Sequence, residues 1–212
     1  QNIRRLFFDN SCTCWGEKAS DNLIYLCYNC LDKIVRQKSL NKVGDTYYIW
    51  PYKGEFRKLL LEYKNNSRLA LGKIISSLIE EEIFKVVYEE DIDYIVPIPI
   101  NFRREQIRGF NQVEEILKNL NYSFLKTNRV KNTKKMFKIL DKEKRENNIK
   151  NSFKVDKEFK AKNILIFDDI ITTGATIEEF KRELIKNGEV NKIVVFSLSA
   201  SKTYMNSNKR MC

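Results

Sequence analysis

The stretch Ile164-Leu165-Ile166-Phe167-Asp168-Asp169-Ile170-Ile171-Thr172-Thr173-Gly174-Ala175-Thr176 constrains this chain more than any other. Its four opening apolar residues match a strand buried on both faces, as in a parallel sheet. Two adjacent carboxylates follow where that strand is expected to end, then three threonines around one glycine. Ile177-Glu178-Glu179-Phe180 next opens a helix. Open α/β sheets bind ligands in the crevice beyond the carboxyl ends of their strands. The chemistry suits a sugar phosphate. Helix N-terminal amides with flanking Thr hydroxyls hold a phosphate. Paired carboxylates accept from two neighbouring hydroxyls, or bind a metal that bridges to them.

An ordinary strand–turn–helix, with one side chain capping the helix, explains a single acid or hydroxyl but not two acids and three threonines. A nucleotide P-loop needs Lys-Ser/Thr after the glycine, and no lysine occurs between Asn163 and Lys181. A Walker-type site is therefore excluded here.

The strand–helix alternation extends through the chain. Thr46–Trp50 is rich in β-formers, Pro51-Tyr52-Lys53-Gly54 is a turn, and Phe56, Leu59, Leu60 and Tyr63 have helical spacing. A second helix is predicted from Ser67 to about Tyr88, the pair covering one face of a sheet. Asp93–Pro99 reads as the first core strand, Gly109–Leu120 as a helix and Tyr122–Thr127 as a further strand. Lys131–Ile149 is polar, charged and weakly periodic, the profile of a long mobile loop. Helix Thr176–Lys186 and strand Lys192–Leu198 complete the pattern, which argues a parallel α/β sheet.

A second phosphate-suited run follows the Asp93–Pro99 strand. Asn101-Phe102-Arg103-Arg104-Glu105-Gln106-Ile107-Arg108-Gly109-Phe110-Asn111-Gln112 carries three arginines within six residues. Arginine forks bind phosphate oxygens bidentately, so pyrophosphate is the natural guest. A solvated basic loop is the plainer reading, but two such loops at one sheet edge are harder to dismiss.

The absence of histidine removes Ser-His-Asp and Cys-His catalysis and every imidazole metal ligand. Net charge is +11, from 39 Lys and Arg against 28 Asp and Glu. Lys126–Lys162 alone holds 14 basic against 5 acidic residues. Such a field attracts polyphosphates or nucleic acid, although the abundance of Lys, Asn and Ile throughout reduces its weight. Cys12, Cys14, Cys27 and Cys30 form two close pairs near the start, the pattern of an all-thiolate structural zinc site. Cys12-Thr13-Cys14 is one residue shorter than the usual knuckle. Four thiolates leave zinc no open position for catalysis, and Cys212 stands apart. The Gly44-Asp45 turn suggests a boundary between a zinc-binding module at 1–44 and a domain at 45–212. No apolar run reaches the roughly 20 residues of a membrane span, and no signal-peptide pattern opens the chain. A cytoplasmic protein is expected, with a short segment upstream of Gln1.

The Asp168–Thr176 run closely resembles the phosphoribosyl-pyrophosphate (PRPP) signature of type I phosphoribosyltransferases. With Val96-Pro97-Ile98-Pro99 and Arg103-Arg104…Arg108-Gly109-Phe110-Asn111-Gln112 ahead of it, the order of motifs resembles the ComF family of competence-associated proteins. Tyr52-Lys53-Gly54 with Lys64, then Arg145, Asn148-Ile149 and Phe153, and the amino-terminal cysteine pairs extend the likeness over nearly the whole chain. Met136 departs from it, standing where the family usually has glutamine.

The resemblance implies a type I phosphoribosyltransferase fold, a parallel Rossmann-like sheet flanked by helices, which binds Mg²⁺ and PRPP. Asp168 and Asp169 would accept the ribose hydroxyls. Thr172, Thr173, Gly174, Ala175 and Thr176 would hold the 5′-phosphate. Arg103, Arg104 and Arg108 would neutralise pyrophosphate, with Arg145 a phosphate contact from the loop. It also implies a role with transforming single-stranded DNA and the DNA-uptake machinery. A non-enzymatic DNA-binding scaffold and a PRPP-sensing regulator remain the alternatives to an enzyme.

Overall fold

The computed structural model describes residues 11–14, 19–20, 25–65, 68–130, 151–155 and 159–208. In chain order the elements are α1 (Tyr28–Arg36), β1 (Asn41–Val43), β2 (Thr46–Pro51), α2 (Gly54–Asn65), α3 (Leu69–Glu89), β3 (Tyr94–Pro97), α4 (Phe102–Arg108) and α5 (Gln112–Asn119). There follow β4 (Asn128–Arg129), β5 (Phe153–Lys154), β6 (Phe159–Ile171), α6 (Ala175–Lys186), β7 (Gly188–Ala200) and α7 (Lys202–Asn208).

Five strands make the main sheet in the order β1-β2-β7-β6-β3. All neighbours are parallel except the β1–β2 hairpin. Side chains alternate across the strands, so each strand feeds two cores. Leu165, Phe167, Val194, Phe196 and Ile95 face the side covered by α2, α3 and α5, through Leu59, Leu60, Ile75, Ile79, Val113 and Ile116. Ile164, Ile166, Val195 and Val96 face α6, through Ile177, Phe180 and Leu184. Each fully buried side chain of this size contributes about 1.5–3 kcal/mol.

Several expectations shift. β2 is a core strand, paired parallel to β7 and buried along almost its whole length, so Tyr94–Pro97 is not the first strand of the sheet. Gly44-Asp45 is a turn, as expected, and it joins β1 to β2. The amino-terminal cysteines share a core with Trp50, which stacks on Phe56 at 4.0 Å and donates from its indole N–H to the Ile34 carbonyl at 2.9 Å. Tyr122–Thr127 forms no strand. Leu125 N–H donates to the Ile95 carbonyl at 2.9 Å, and ladder pairing begins only at Asn128.

The arginine run is helix α4 rather than a loop. Asn101 caps it by accepting from Arg103 N–H, and Gly109, at φ +83°, ends it. No α4 residue is buried, so no apolar period could announce it. Among the described residues no helix is long and apolar enough to cross a membrane.

Candidate active site

β6 outlasts β3 at the carboxyl end of the sheet. Pro97 is paired with Phe167, and Asp168 lies level with Ser197 of β7. Both acids therefore sit in the last turns of the strand itself, beside the space that β3 vacates. Alternation turns their side chains to opposite faces.

Asp169 is buried on the α2–α5 side, and both its oxygens are engaged. Lys64, from the last turn of α2, meets Oδ1 at 2.7 Å. The Gln112 side-chain amide donates to Oδ2, while its own oxygen accepts from Arg108. Asp168 is half-buried and accepts from Asp169 N–H at 2.8 Å. Burial and the neighbouring Asp169 charge raise its pKa from 3.8 to about 7, against the opposing pull of Lys64 and Arg129.

Three guanidinium groups share this field. Burial lowers the pKa of Arg104 and of Arg108, and the Asp169 carboxylate partly offsets it for both. Positions 104 and 108 are one helical step apart on α4, which places them on one side. Burial lowers Arg129 most, to about 10, with Arg104 adding to the strain and Asp168 relieving it. Arg129 enters from β4, its guanidinium 5.2 Å from the Phe153 ring centre. Arg103 is exposed at the start of α4.

The hydroxyl loop joins β6 to α6. Gly174 takes the left-handed conformation at φ +80° and is the N-cap of α6, so no side chain occupies that cap. A Cβ there would lie 3.2 Å from the Tyr204 ring. Helix α7 braces the loop from behind, with Ser201 Oγ donating to the Thr172 carbonyl at 2.6 Å and Ser201 N–H to Ile171 at 2.8 Å. Thr172 is exposed, whereas Thr173, Ala175 and Thr176 are half-buried. The first turn of α6 and the threonines thus lie at the same sheet edge as the acids, an arrangement suited to a phosphate.

Arg145 and Met136 lie outside the described residues. Sequence reasoning gave no site role to Lys64, Gln112 or Arg129. Lys64 stands out only through the family likeness, which gives it no site role, and otherwise closes an ordinary amphipathic helix; Arg129 sits in a basic run with no signal of its own. Gln112 was visible only as part of the α4–α5 motif.

At the opposite end of α2 the cysteines gather. The sulfurs of Cys12, Cys14 and Cys30 lie within 4.8 Å of one another, all buried. Cys27 is buried outside that trio, its thiol interacting with those of Cys12 and Cys30. None of the four is in a disulfide. Burial raises Cys14 and Cys30, while amide and thiol contacts overcome burial and lower Cys12. A tight group of buried thiols matches the donor set of a structural metal such as zinc. Lys58 donates to the Cys14 carbonyl at 2.8 Å and Cys14 Sγ contacts the Glu55 carbonyl at 3.7 Å. One helix therefore touches both the cysteine cluster and Asp169.

A mostly parallel sheet with two acids, a hydroxyl–glycine loop and a helix N-terminus at its carboxyl edge defines a phosphoribosyltransferase-type domain. The family model described as PRTase-CE matches residues 50–211. The chain is 32% identical to competence protein F of Haemophilus influenzae over 82% of this chain and 77% of that protein. It is 30% identical to competence protein ComFC of Streptococcus pneumoniae over 71% of this chain and 66% of the relative. DNA utilization protein YhgH of Escherichia coli K12 shares 26% identity over 76% of this chain and 72% of its own length. The chain belongs to the ComF family.

Proposed function

We propose that the carboxyl edge of the sheet binds PRPP and transfers its phosphoribosyl group. The observation that carries this reading is the gathering of Lys64, Arg104, Arg108 and Arg129 around Asp168 and Asp169, next to the Thr172–Thr176 loop. The loop and the α6 amides take the 5′-phosphate. Asp168 and Asp169 accept from the ribose hydroxyls, each Asp169 oxygen keeping a second lone pair beside its Lys64 or Gln112 contact. The arginines neutralise pyrophosphate, Arg103 from the exposed side of α4 and Arg145 from the segment after β4. When the C1′–O bond breaks, pyrophosphate leaves with the electron pair, and a nitrogen nucleophile of the acceptor bonds to C1′. The carboxylates stabilise the positive charge that develops at C1′.

Mg²⁺ favours oxygen ligands and usually retains several waters or substrate oxygens. Asp169 has both oxygens taken, so the residues fit Mg²⁺ as a partner of the ligand's pyrophosphate rather than in a protein cage. Bound in that way it would add charge neutralisation for the leaving group. Zinc would be held by Cys12, Cys14, Cys27 and Cys30 within an amino-terminal module at 1–44, serving the transferase-like domain at 45–212. One zinc per chain, lost with Cys30→Ser, is the expected metal content. Reduced thiols suit the cytoplasm.

Calorimetric titration with Mg²⁺-PRPP tests the ligand. Binding by the wild type that Asp168→Asn with Asp169→Asn abolishes is expected, followed by pyrophosphate release once an acceptor is supplied. A folded wild type that ignores Mg²⁺-PRPP overturns the reading. A second reading, a non-enzymatic single-stranded-DNA-binding protein acting with the DNA-uptake machinery, draws on the net charge of +11 and on relatives named for competence and DNA utilization. It requires binding to single strands that weakens steeply with salt; affinity indifferent to salt excludes it.

A further inference from the structure

We propose that Gln112, set in place by the Tyr63 hydroxyl, is a positioning residue that keeps the diphosphate-facing Arg108 apart from the ribose-facing Asp169. The inference rests on the reading of this edge as the PRPP site and adds how its two halves are held in register.

Arg108 and Asp169 meet at the Gln112 side chain. In direct contact a guanidinium and a carboxylate close into a forked ion pair, which turns their hydrogen-bonding groups on one another rather than on a ligand. Here an amide stands between them. Its oxygen accepts from Arg108 and its nitrogen donates to Asp169. Only one orientation allows this, because the reversed amide would set N–H against the guanidinium and oxygen against the carboxylate. An ionised glutamate would accept but not donate, and a methionine of similar length offers no N–H. Gln112 is only 6% exposed, so water does not replace the bridge.

A glutamine side chain is flexible, and its place is fixed through the backbone that carries it. Asn111 caps α5 by accepting from Val113 N–H at 3.2 Å, which holds the chain on either side of Gln112. Tyr63, near the end of α2, donates its hydroxyl to the Gln112 carbonyl at 2.9 Å in the protein interior. The Tyr63 ring also lies 5.4 Å from the Phe110 ring, so one side chain holds both neighbours of Asn111. Helix α3 makes room for it. A Cβ on Gly72 would lie 2.9 Å from the Tyr63 ring and hydroxyl, closer than packed atoms come. Glycine is a poor helix former, yet it sits inside α3 where it clears this side chain. Any buried carbonyl would satisfy a tyrosine hydroxyl. This one belongs to the residue that joins the arginine to the acid.

The test has one measurement without ligand and one with it. In the ligand-free protein the Gln112 side-chain N–H₂ should exchange slowly with water by nuclear magnetic resonance, and Tyr63→Phe should speed that exchange at least about threefold. Free exchange in the wild type, or exchange unchanged by Tyr63→Phe, overturns the proposal whatever the site binds. With Mg²⁺-pyrophosphate as the probe, calorimetry should show binding weakened roughly tenfold by Gln112→Met and about threefold by Tyr63→Phe. The double variant should bind no more weakly than Gln112→Met alone, because Tyr63 acts through Gln112. In an Arg108→Ala background Gln112→Met should cost less than about twofold. Losses that add in either pair overturn the proposal, as does a folded Gln112→Met that binds pyrophosphate like the wild type. If Gln112→Met folds poorly, Tyr63→Phe, which deletes a single oxygen, carries both measurements. A wild type that binds neither pyrophosphate nor PRPP contradicts the reading of the edge instead, and the exchange measurement then decides the Tyr63–Gln112 contact by itself.

Discussion

The two ends of the one parallel sheet treat charge in opposite ways. At the amino end Glu90 meets Lys42 at 2.8 Å and Lys192 at 3.0 Å, with the Tyr47 hydroxyl donating at 2.5 Å. Asp93 accepts there from Lys162 and from Asn163 N–H, both at 2.8 Å. These contacts hold Glu90 down at about 2, the Lys42 contact foremost, and lower Asp93 as well. At the carboxyl end Asp168 is raised and three arginines are lowered, chiefly by burial. The first end has its charges matched for stability. The second holds charges in forms that a phosphate-bearing ligand would relieve, which is how binding sites tend to differ from structural ion pairs.

The largest expected separation lies in ligand affinity. Asp168→Asn with Asp169→Asn should weaken Mg²⁺-PRPP by at least about a hundredfold, as loss of buried charge contacts does. Glu90→Gln should leave that affinity within about twofold, so comparable losses from the two variants would break the contrast.

Stability should respond the other way. Glu90→Gln is expected to cost about 1–2 kcal/mol near neutral pH by urea denaturation, towards the lower end because its lysine partners are half-exposed. Since Glu90 is lowered from 4.5 to about 2 on folding, its stabilisation is complete above pH 4.5 and fades as pH falls towards 2. The gap between wild type and variant should close over that window.

Next in size is the division within α4. Arg104→Ala or Arg108→Ala should reduce PRPP affinity roughly tenfold, as loss of a charge-assisted phosphate contact does. Arg103→Ala removes an exposed, solvent-screened contact and should cost less, about two- to threefold. Calorimetry on the three variants checks this ranking, and equal losses would remove the distinction that burial draws between them.

The smallest effect is that of Asp168→Asn on stability. Asp168 is raised on folding, so between pH 3.8 and about 7 the folded state binds more protons and wild-type stability falls as pH rises. The substitution should therefore stabilise by about 1 kcal/mol at pH 8 and by almost nothing near pH 4, after allowance for partial exposure. A gain that is larger in acid would reverse the sign and contradict the charge assignment.

The sequence made the carboxyl end far more legible than the way that end is held. Ile164–Phe167 and the Asp-Asp…Thr-Thr-Gly run declare themselves because strand, acids and glycine are contiguous. Lys64 reaches Asp169 only because the last turn of α2 lies beside the end of β6, a contact spanning more than a hundred residues that no local period encodes. Arg129 is likewise delivered by pairing of β4 with β5. Helix α4 escaped because it buries nothing, and α7 because seven mostly polar residues carry no period. Tyr122–Thr127 has the composition of a strand, yet little of its backbone finds a ladder. The buried β2 was recognised as a strand, but its parallel partner β7 lies about 150 residues later, and only tertiary structure reveals it as core.

Amide hydrogen exchange with and without Mg²⁺-PRPP tests the contrast between the two ends most directly. Protection is expected across residues 102–112 and 168–178, with no change across residues 41–48 and 88–95. Protection centred on the Glu90 end, or none at either end, would contradict the assignment of the carboxyl edge as the ligand site.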